Sequence, residues 1–266
     1  MSAGAFAWSA TNGLIPVAAG SSGAKGSWVE MISSTSAAAK SLIAYNTADH
    51  GSNVNANFME IGTGAASSEV SLVDGLTSTM KGNAATTGYF KYPLGVSIAS
   101  STRVAMRCAS DEDRAIRAGL SLFEGGDGYS TIEDDIGLDT GANSGTAVDP
   151  GGTANTYGSW VELKATTSND IKALLVMLTI ENPGTIGQDQ HAIINLATGA
   201  ASSEVIIEGC RNLPLFYDTG EDPRGGMYYI PVPTISSGAR ISAQCSNSDV
   251  TDAGDRVVYV NCVGLS

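Results

Sequence analysis

Few residues in this sequence could act as general acids or bases. Histidine is the usual catalytic base near neutral pH, and the chain has only two, His50 and His191. His50 lies in NTADHGSN, a segment with the composition of a loop, where a single histidine is normally a solvated surface group. The sequence contains no GxSxG nucleophile elbow, no HExxH zinc motif and no GxxxxGKS/T phosphate loop. We therefore predict that the protein is not an enzyme.

Acidic side chains cluster in three segments, at 111–114, 133–139 and 218–222. Calcium binds such oxygen-rich loops, but none of the three has the regular D-x-D-x-D-G spacing of a calcium loop. We interpret them as solvated acidic loops, with a structural cation as the alternative. The segment GTGAAS begins like a dinucleotide-binding fingerprint, but Ser67 replaces its third glycine, which favours a tight turn. The sequence thus predicts no cofactor and no metal.

Cysteine spacing and charge restrict the function further. The cysteines have no CxxC pair and no zinc-like spacing, and we interpret them as small buried residues: Cys108, Cys210, Cys245 and Cys262. A disulfide between Cys210 and Cys262 is the alternative. The net charge of −13, without clustered Lys and Arg, argues against nucleic-acid binding. No stretch reaches the roughly 18 apolar residues of a membrane helix, and the N-terminus does not resemble a signal peptide. We therefore expect synthesis in the cytoplasm and no membrane partner.

An internal repeat organises the whole chain. Trp160 lies 132 residues after Trp28, in segments that match over 22 residues, 26–47 and 158–179. The heptapeptide GAASSEV occurs at 64–70 and 199–205, and STRVAMRCAS at 101–110 matches GARISAQCSN at 238–247. The three matches follow in the same order, and the repeat is far longer than the 20–50 residues of a solenoid. We predict two domains: an N-terminal arm with the first unit at 1–131, and a linker or first strand with the second unit at 132–266.

Both units have the patterning of β-structure. Glycine accounts for 32 residues and charged residues for 15% of the chain, which suits short strands and turns better than surface helices. In TRVAMRCA, the apolar residues Val104, Met106 and Cys108 alternate with other types, and the matching strand is apolar on the same face. We predict an all-β protein of two tandem antiparallel β-sandwich or jelly-roll-like domains related by internal duplication. The predicted strands are 14–18, 26–32, 40–46, 56–62, 69–74, 88–96, 102–109, 118–124, 145–149, 158–164, 172–179, 190–196, 204–209, 225–234, 239–246 and 256–263.

Three segments of each unit resemble a known family. They are a Gly-Ser-Trp-Val-Glu strand, an Ile/Leu-x-x-Gly-Ala-Ala-Ser-Ser-Glu-Val segment, and a Pro-containing strand leading into Arg-x-x-x-x-Cys, at 26–30, 61–70 and 93–108 and again at 158–162, 196–205 and 231–245. This combination resembles a module of structural proteins of tailed bacteriophages. The first unit departs from the pattern before Arg103, where ASST stands in place of the glycine that Gly238 supplies in the second. The resemblance implies a virion location and no catalytic residues, and leaves open the capsid or the tail.

From this resemblance we expect a non-enzymatic virion protein, above all a capsid decoration or cement protein that stabilises the shell. Its partners would be the major capsid protein or other virion proteins, and lattice symmetry would favour a homo-oligomer such as a trimer. The alternative is a tail or fibre protein that binds host surface carbohydrate. Exposed tyrosines such as Tyr89 and Tyr228 would then stack on sugar rings, whereas core packing is their competing role.

Two sets of residues are candidates for partner contacts. Phe6 and Trp8 lie among small residues in the N-terminal segment MSAGAFAWSATNG, which would dock on a neighbouring subunit. The alternatives are a frayed terminus, or Trp8 folding back on its own domain. Glu69 and Glu204 occupy the same place in the two GAASSEV copies. We expect the small residues before them to form a close turn, and the carboxylates to face solvent or a partner.

Overall fold

The protein consists of antiparallel β-sheets. A computed structural model describes residues 5–8, 14–21, 23–48, 54–81, 90–110, 115–124, 130–139, 144–180, 190–217, 224–248, 250 and 257–266. These residues form 21 strands, and the paired strands are antiparallel throughout. The predicted all-β, two-sandwich fold class is confirmed. No helix within these ranges has the length and hydropathy needed to cross a membrane.

The first unit contains two sheets. Its strands are β1 (Ala5–Trp8), β2 (Ile15–Val17), β3 (Val29–Ile32), β4 (Ala39–Ala48), β5 (Val54–Thr63), β6 (Val70–Lys81), β7 (Phe90–Ile98), β8 (Val104–Ser110) and β9 (Ile116–Phe123). Sheet A has the order β1-β9-β4-β7, with β2 also paired to β9, and sheet B has the order β3-β8-β5-β6. Alternate side chains of facing strands, such as Leu42 and Met106, fill the core between them.

The second unit repeats this arrangement with a larger number of shorter strands. Its strands are β10 (Thr131–Ile136), β11 (Leu138–Asp139), β12 (Ser144–Val148), β13 (Val161–Lys164), β14 (Ile171–Ile180), β15 (Gln190–Thr198), β16 (Val205–Ile206), β17 (Leu213–Tyr217), β18 (Arg224–Gly225), β19 (Met227–Ile235), β20 (Ile241–Asn247) and β21 (Val258–Leu265). Sheet C has the order β11-β12-β21-β14-β19, with β10 on β21. Sheet D has the order β13-β20-β15-β17-β18, with β16 on β15.

The two units differ most along one sheet edge. The strand predicted at 69–74 continues to Lys81 as β6, whereas its counterpart predicted at 204–209 is only the two-residue β16. A turn with left-handed residues at Gly209 and Asn212 separates β16 from β17. Because Ile207 and Cys210 of this turn are buried in the second core, the turn replaces strand pairing with side-chain packing. The corresponding edge is therefore continuous in the first unit and interrupted in the second.

The central strand of sheet C, β14, is buried on both faces. Leu174 and Val176 of β14 point into the core of the second unit. The residues between them in the alternating pattern, Leu175 and Met177, belong to the core of the first unit, where β14 packs against β6. The matching strand β4 has only its Leu42 face in a core, which accounts for the unbroken apolar run in β14. The units thus share a hydrophobic core rather than being joined by a linker alone.

A bulge in β6 adds polar contacts to this interface. Gly75 adopts a positive φ of 72°, and β6 has one residue more than β5 between paired positions here. The bulge directs the Asp74 N–H to Asp134 Oδ2, at 2.7 Å, and the Gly75 carbonyl to the side-chain amide of Asn261. A Cβ at Gly75 would lie 3.0 Å from both Asn261 Nδ2 and Leu138 Cδ1. The positive φ favours glycine at this position, and a Cβ there would also force the Asn261 or Leu138 side chain to shift.

Candidate interaction site

The histidines and acidic segments do not form a catalytic group in the described part of the chain. His191 is exposed on β15, with its ring centroid 6.2 Å from that of Phe216 and no carboxylate contact shown for it. His50 and the acidic segments 111–114 and 218–222 lie outside the described residues. No group of three or more potential metal-binding side chains occurs among the residues that are described.

The remaining acidic segment, 133–139, is engaged with the protein itself. Lys164 Nζ lies 3.1 Å from Glu133 Oε1 and 2.5 Å from Asp135 Oδ2. Glu133 also accepts the backbone N–H of Ser168, at 3.1 Å. Burial raises the pKa of Asp134, and the neighbouring carboxylates act in the same direction. The segment forms strands β10 and β11 and not a loop. Glu133 is buried and Asp134 lies at the interface between units, whereas Asp135 is 53% exposed, so the interpretation as a solvated loop is wrong for the first two carboxylates.

The cysteines are packing residues. All four are buried free thiols, including Cys210 and Cys262. Burial raises the pKa of Cys108 to about 11 and that of Cys210 to about 12, which suppresses the reactive thiolate. Cys108 Sγ lies 3.2 Å from the Val17 carbonyl of β2, and Cys245 Sγ makes the same contact with the Val148 carbonyl of β12 at 2.9 Å. This repetition confirms the packing role assigned to Cys108 and Cys245.

The two GAASSEV copies fold into the same turn. The N–H of Ser68 donates to the Ala65 carbonyl at 3.0 Å, and the corresponding bond in the second copy measures 2.9 Å. Gly64 and Ser67 have φ values of 119° and 67°, and their counterparts have 115° and 68°. A Cβ at Gly64 would lie 3.0 Å from the Ser68 carbonyl oxygen, so the turn is too tight for a larger residue there. We call 64–70 and 199–205 the paired turns.

An arginine fixes each of the paired turns. Arg103 donates from Nε to Glu30 Oε2 at 2.8 Å, and from Nη1 to Glu69 Oε1 at 2.7 Å and to the Gly64 carbonyl at 3.3 Å. Arg240 repeats all three contacts in the second unit, at 2.7, 3.1 and 3.3 Å. One guanidinium, on the residue directly before β8, therefore joins β3 to the turn in the first unit. The residue before β20 joins the equivalent elements in the second. This charge-assisted network restricts the conformation of each turn.

The glutamates inside the turns are buried. Only 2% of the Glu69 side chain and 4% of the Glu204 side chain are exposed. Burial alone would raise the pKa of Glu69, but the hydrogen bond from Arg103 and backbone N–H groups outweigh it and lower this pKa below its ordinary value. The pKa of Glu204 is lowered in the same way, by backbone hydrogen bonds and by Arg240. The solvent-facing placement expected from the sequence is wrong, and a partner contact through these carboxylates stays a prediction.

The residue after each glutamate is exposed instead. Val70 is 69% exposed and Val205 is 68% exposed, more than any other large hydrophobic residue in the described ranges. Both alanines of each turn are exposed as well. Half-exposed carboxylates, Glu30 at 50% and Glu162 at 48%, lie on the outer side of the arginines. The sequence did not indicate the exposure of these valines. Valine is common in β-strands, so a strand was predicted for each one, and its exposure was not considered.

The N-terminal candidates are only partly placed by the structure. The backbone of β1, which contains Phe6 and Trp8, pairs with β9 of its own unit, with Trp8 opposite Ser121. Residues 1–4 and 9–13 and the side chains of β1 lie outside the described residues. Docking of this segment on a neighbouring subunit stays a prediction, but at least residues 5–8 form part of sheet A.

The tyrosines weighed for carbohydrate binding have different positions. Tyr89 lies outside the described residues. Tyr228 is half-buried, its hydroxyl donates to the Pro214 carbonyl, and burial raises the pKa of Tyr228. Among the residues that the structure describes, the exposed aromatic side chains are Tyr229, at 45%, and Phe216, at 51%. The structure thus favours the packing role for Tyr228 and places the exposed Phe216 beside His191, which the sequence did not indicate.

A further charged cluster belongs to the first unit alone. Glu60 accepts hydrogen bonds from Lys25 Nζ at 2.9 Å and from Arg107 Nε at 2.6 Å, and Lys25 also contacts Asp74 at 2.5 Å. The Arg107 guanidinium lies 4.5 Å from the centroid of a Trp28 ring. The second unit has uncharged residues at the positions matching the Lys, Glu and Arg. This cluster therefore supports one sheet and is not part of the duplicated site.

Comparisons with known proteins give no family. No family model and no curated protein matches the chain. Among solved structures, one described as PNGF-II has a TM-score of 0.39 at 9% identity over 90% of this chain, which spans 58% of that protein. PNGase F, a glycosylasparaginase from Flavobacterium meningosepticum, has a TM-score of 0.39 at 11% identity, covering 96% and 93% of the two chains. A tandem CBM22-1–CBM22-2 domain from Paenibacillus barcinonensis has 0.25 at 11%, covering 99% and 96%. TM-scores this low define neither a family nor a function.

Proposed function

We propose that the chain is a non-enzymatic structural protein of a tailed-phage virion, and specifically a capsid decoration or cement protein that stabilises the shell. The observation that carries this proposal is that one body presents the same surface turn twice, with the same internal support. Val70 and Val205 end these turns with nearly equal exposure, 69% and 68%. Two like contacts on one chain suit a partner whose surface repeats, and a shell of identical subunits is such a surface.

The contact between the units holds the two turns at a fixed spacing. Because Leu175 and Met177 of the second unit lie in the core of the first, the units do not rotate independently about a linker. The spacing of the two turns is then fixed before binding. A rigid bivalent body gains affinity over a single contact by a factor of roughly 10²–10⁴ when both sites can be reached together. It also connects the two subunits that it binds, which is how a decoration protein would stabilise a shell.

The partner under this proposal is the major capsid protein or another virion protein. Copies of the chain would also meet one another around the symmetry axes of the lattice, so a homo-oligomer such as a trimer is part of the proposal. The net charge of −13 disfavours self-association at random and favours a partner surface with basic groups. The location of the protein would be the virion, after synthesis in the host cytoplasm.

The experiment is a gene disruption in the phage that encodes the chain. Particles made without the protein should lack it by mass spectrometry, show less density on the capsid faces in electron cryomicroscopy, and release DNA at a lower temperature than normal particles. Adding the purified chain should restore both the density and the heat resistance. Normal particles that do not contain the protein, or disrupted particles with unchanged density and stability, would refute the proposal.

A second candidate function is host carbohydrate binding as a tail or fibre protein. The observation that favours it is the exposed Phe216, whose ring lies beside that of His191 on sheet D. An exposed aromatic face with a polar neighbour suits a sugar ring. Glycan-array binding by the purified chain, lost in Phe216→Ala and kept in Val205→Ala, would support this function. Density for the protein on the capsid alone would argue against it.

A further inference from the structure

Comparing the two units shows which identical residues the fold itself requires and which it does not. They differ at most positions, yet GAASSEV is identical in both. The fold accounts for part of this identity: Gly64 and Ser67 adopt left-handed conformations, and Ser68 closes the turn through its N–H. Glu69 is held by Arg103. What the fold does not account for is the two alanines and the valine, whose side chains are exposed.

The exposed valine is the informative residue. A valine at the beginning of a strand has a favourable β-propensity, but threonine and isoleucine have one as well. Val70 and Val205 expose 69% and 68% of their surface, so neither contributes much burial to its own core. Each lies directly after a carboxylate whose side chain is at most 4% exposed and locked in place. The chain therefore presents an aliphatic group on a rigid support, in duplicate and without an internal use.

We propose that the paired turns, 64–70 and 199–205, are the two attachment points of the chain, and that each inserts its valine into a shallow apolar depression with a basic rim on a repeating partner protein. This assignment rests on the virion function proposed above and names its contact surface. The basic rim follows from charge: Glu30 and Glu162 are about half exposed beside the turns, and the chain carries a net charge of −13.

The arginines explain how a small contact at each turn could be enough for binding. Arg103 and Arg240 each bind two carboxylates and one carbonyl of their own unit, so the turns lose little conformational freedom on binding. The shared core of the two units likewise fixes the distance between the turns before binding. Each contact can then be weak while the pair binds firmly.

The test measures binding of the purified full chain to phage particles that lack it. Val70→Asp and Val205→Asp are compared singly and together, and Val→Ser variants at both positions repeat the test without added charge. Tyr229→Asp is the matched control, because it changes another exposed hydrophobic residue, 45% exposed, that lies outside the paired turns. Circular dichroism and the thermal unfolding midpoint should be unchanged in every variant, because these side chains are at the surface.

We expect each single variant to bind about 10²-fold or more weakly, because one turn alone loses the bivalent gain. The double variant should show no binding at concentrations that saturate particles with the wild type, and the control should bind normally. Raising the ionic strength should weaken wild-type binding through screening of the acidic rim, and salt-independent binding would refute the basic rim. Double variants that bind like the wild type, or a loss confined to one valine, would overturn the paired attachment. Failure of the wild-type chain to bind particles would instead overturn the proposed function itself.

Discussion

Replacing Leu175 by alanine should test the shared core most directly. Leu175 is fully buried in the core of the first unit although it belongs to β14 of the second. Its counterpart 132 residues earlier, Ile43 of β4, is only half-buried on the outer face of sheet A. A fully buried Leu→Ala change costs about 3 kcal/mol through lost burial and a residual cavity. For Ile43→Ala, whose side chain is only partly buried and would leave no enclosed cavity, we expect a smaller cost of about 1–2 kcal/mol.

Urea denaturation followed by circular dichroism measures both free energies of unfolding. Because the side chain of Leu175 connects the two units, Leu175→Ala should destabilise the chain as a whole, and wild-type unfolding should be one cooperative transition. Leu174→Ala, whose side chain is equally buried but points into the second core, should cost a similar amount, because β14 then contributes to both cores. Equal costs for Leu175→Ala and Ile43→Ala, or two well-separated wild-type transitions, would contradict the shared core.

Three further predictions concern the bulge, the locked carboxylates and the thiols. Gly75→Ala should lower the free energy of unfolding by about 2 kcal/mol more than Gly23→Ala, since both have a φ of 72° but only Gly75 is crowded; equal losses in urea titrations would exclude the close contact. The pKa of Glu204 is lower in the folded chain, so its stabilisation is present above the unfolded value of 4.5 and is lost as the pH falls through the folded pKa. Glu204→Gln should therefore flatten the acid limb of a stability-against-pH curve, and an unchanged limb would contradict the lock. Cys210, with a pKa raised to about 12, should react with a thiol reagent at pH 8 only after denaturant is added; fast labelling of the native chain would contradict its burial.

The sequence predicted those features that are repeated or alternating. The all-β class, the packing of Cys108 and Cys245, and most long strands follow from patterns present twice in the chain. It failed where one copy differs from the other: β17 was missed because the turn containing Cys210 has no counterpart in the first unit. The burial of Glu69 was missed for another reason, since its partner Arg103 is 34 residues away and no local pattern announces a long-range ion pair. The interface between the units is reflected in the sequence by the unbroken apolar run of β14. This run was not recognised as an interface, because a strand buried in a single sandwich would alternate between apolar and polar residues.

The differences between the units also explain why the contact between them is asymmetric. The first unit offers a continuous β6 with a bulge that receives β14, but the second unit has β16 and β17 separated by a buried turn at the equivalent edge. The face that docks also differs: Ala173 and Met177 of β14 correspond to Ser41 and Tyr45 of β4, which suit water better than a core. The second unit therefore does not present the receiving edge of the first, and β4 does not present the apolar face of β14. The contact between the units is made once, whereas the paired turns occur twice. For the repeating partner proposed above, we therefore expect binding through the paired turns and not through the sheet faces that join the units.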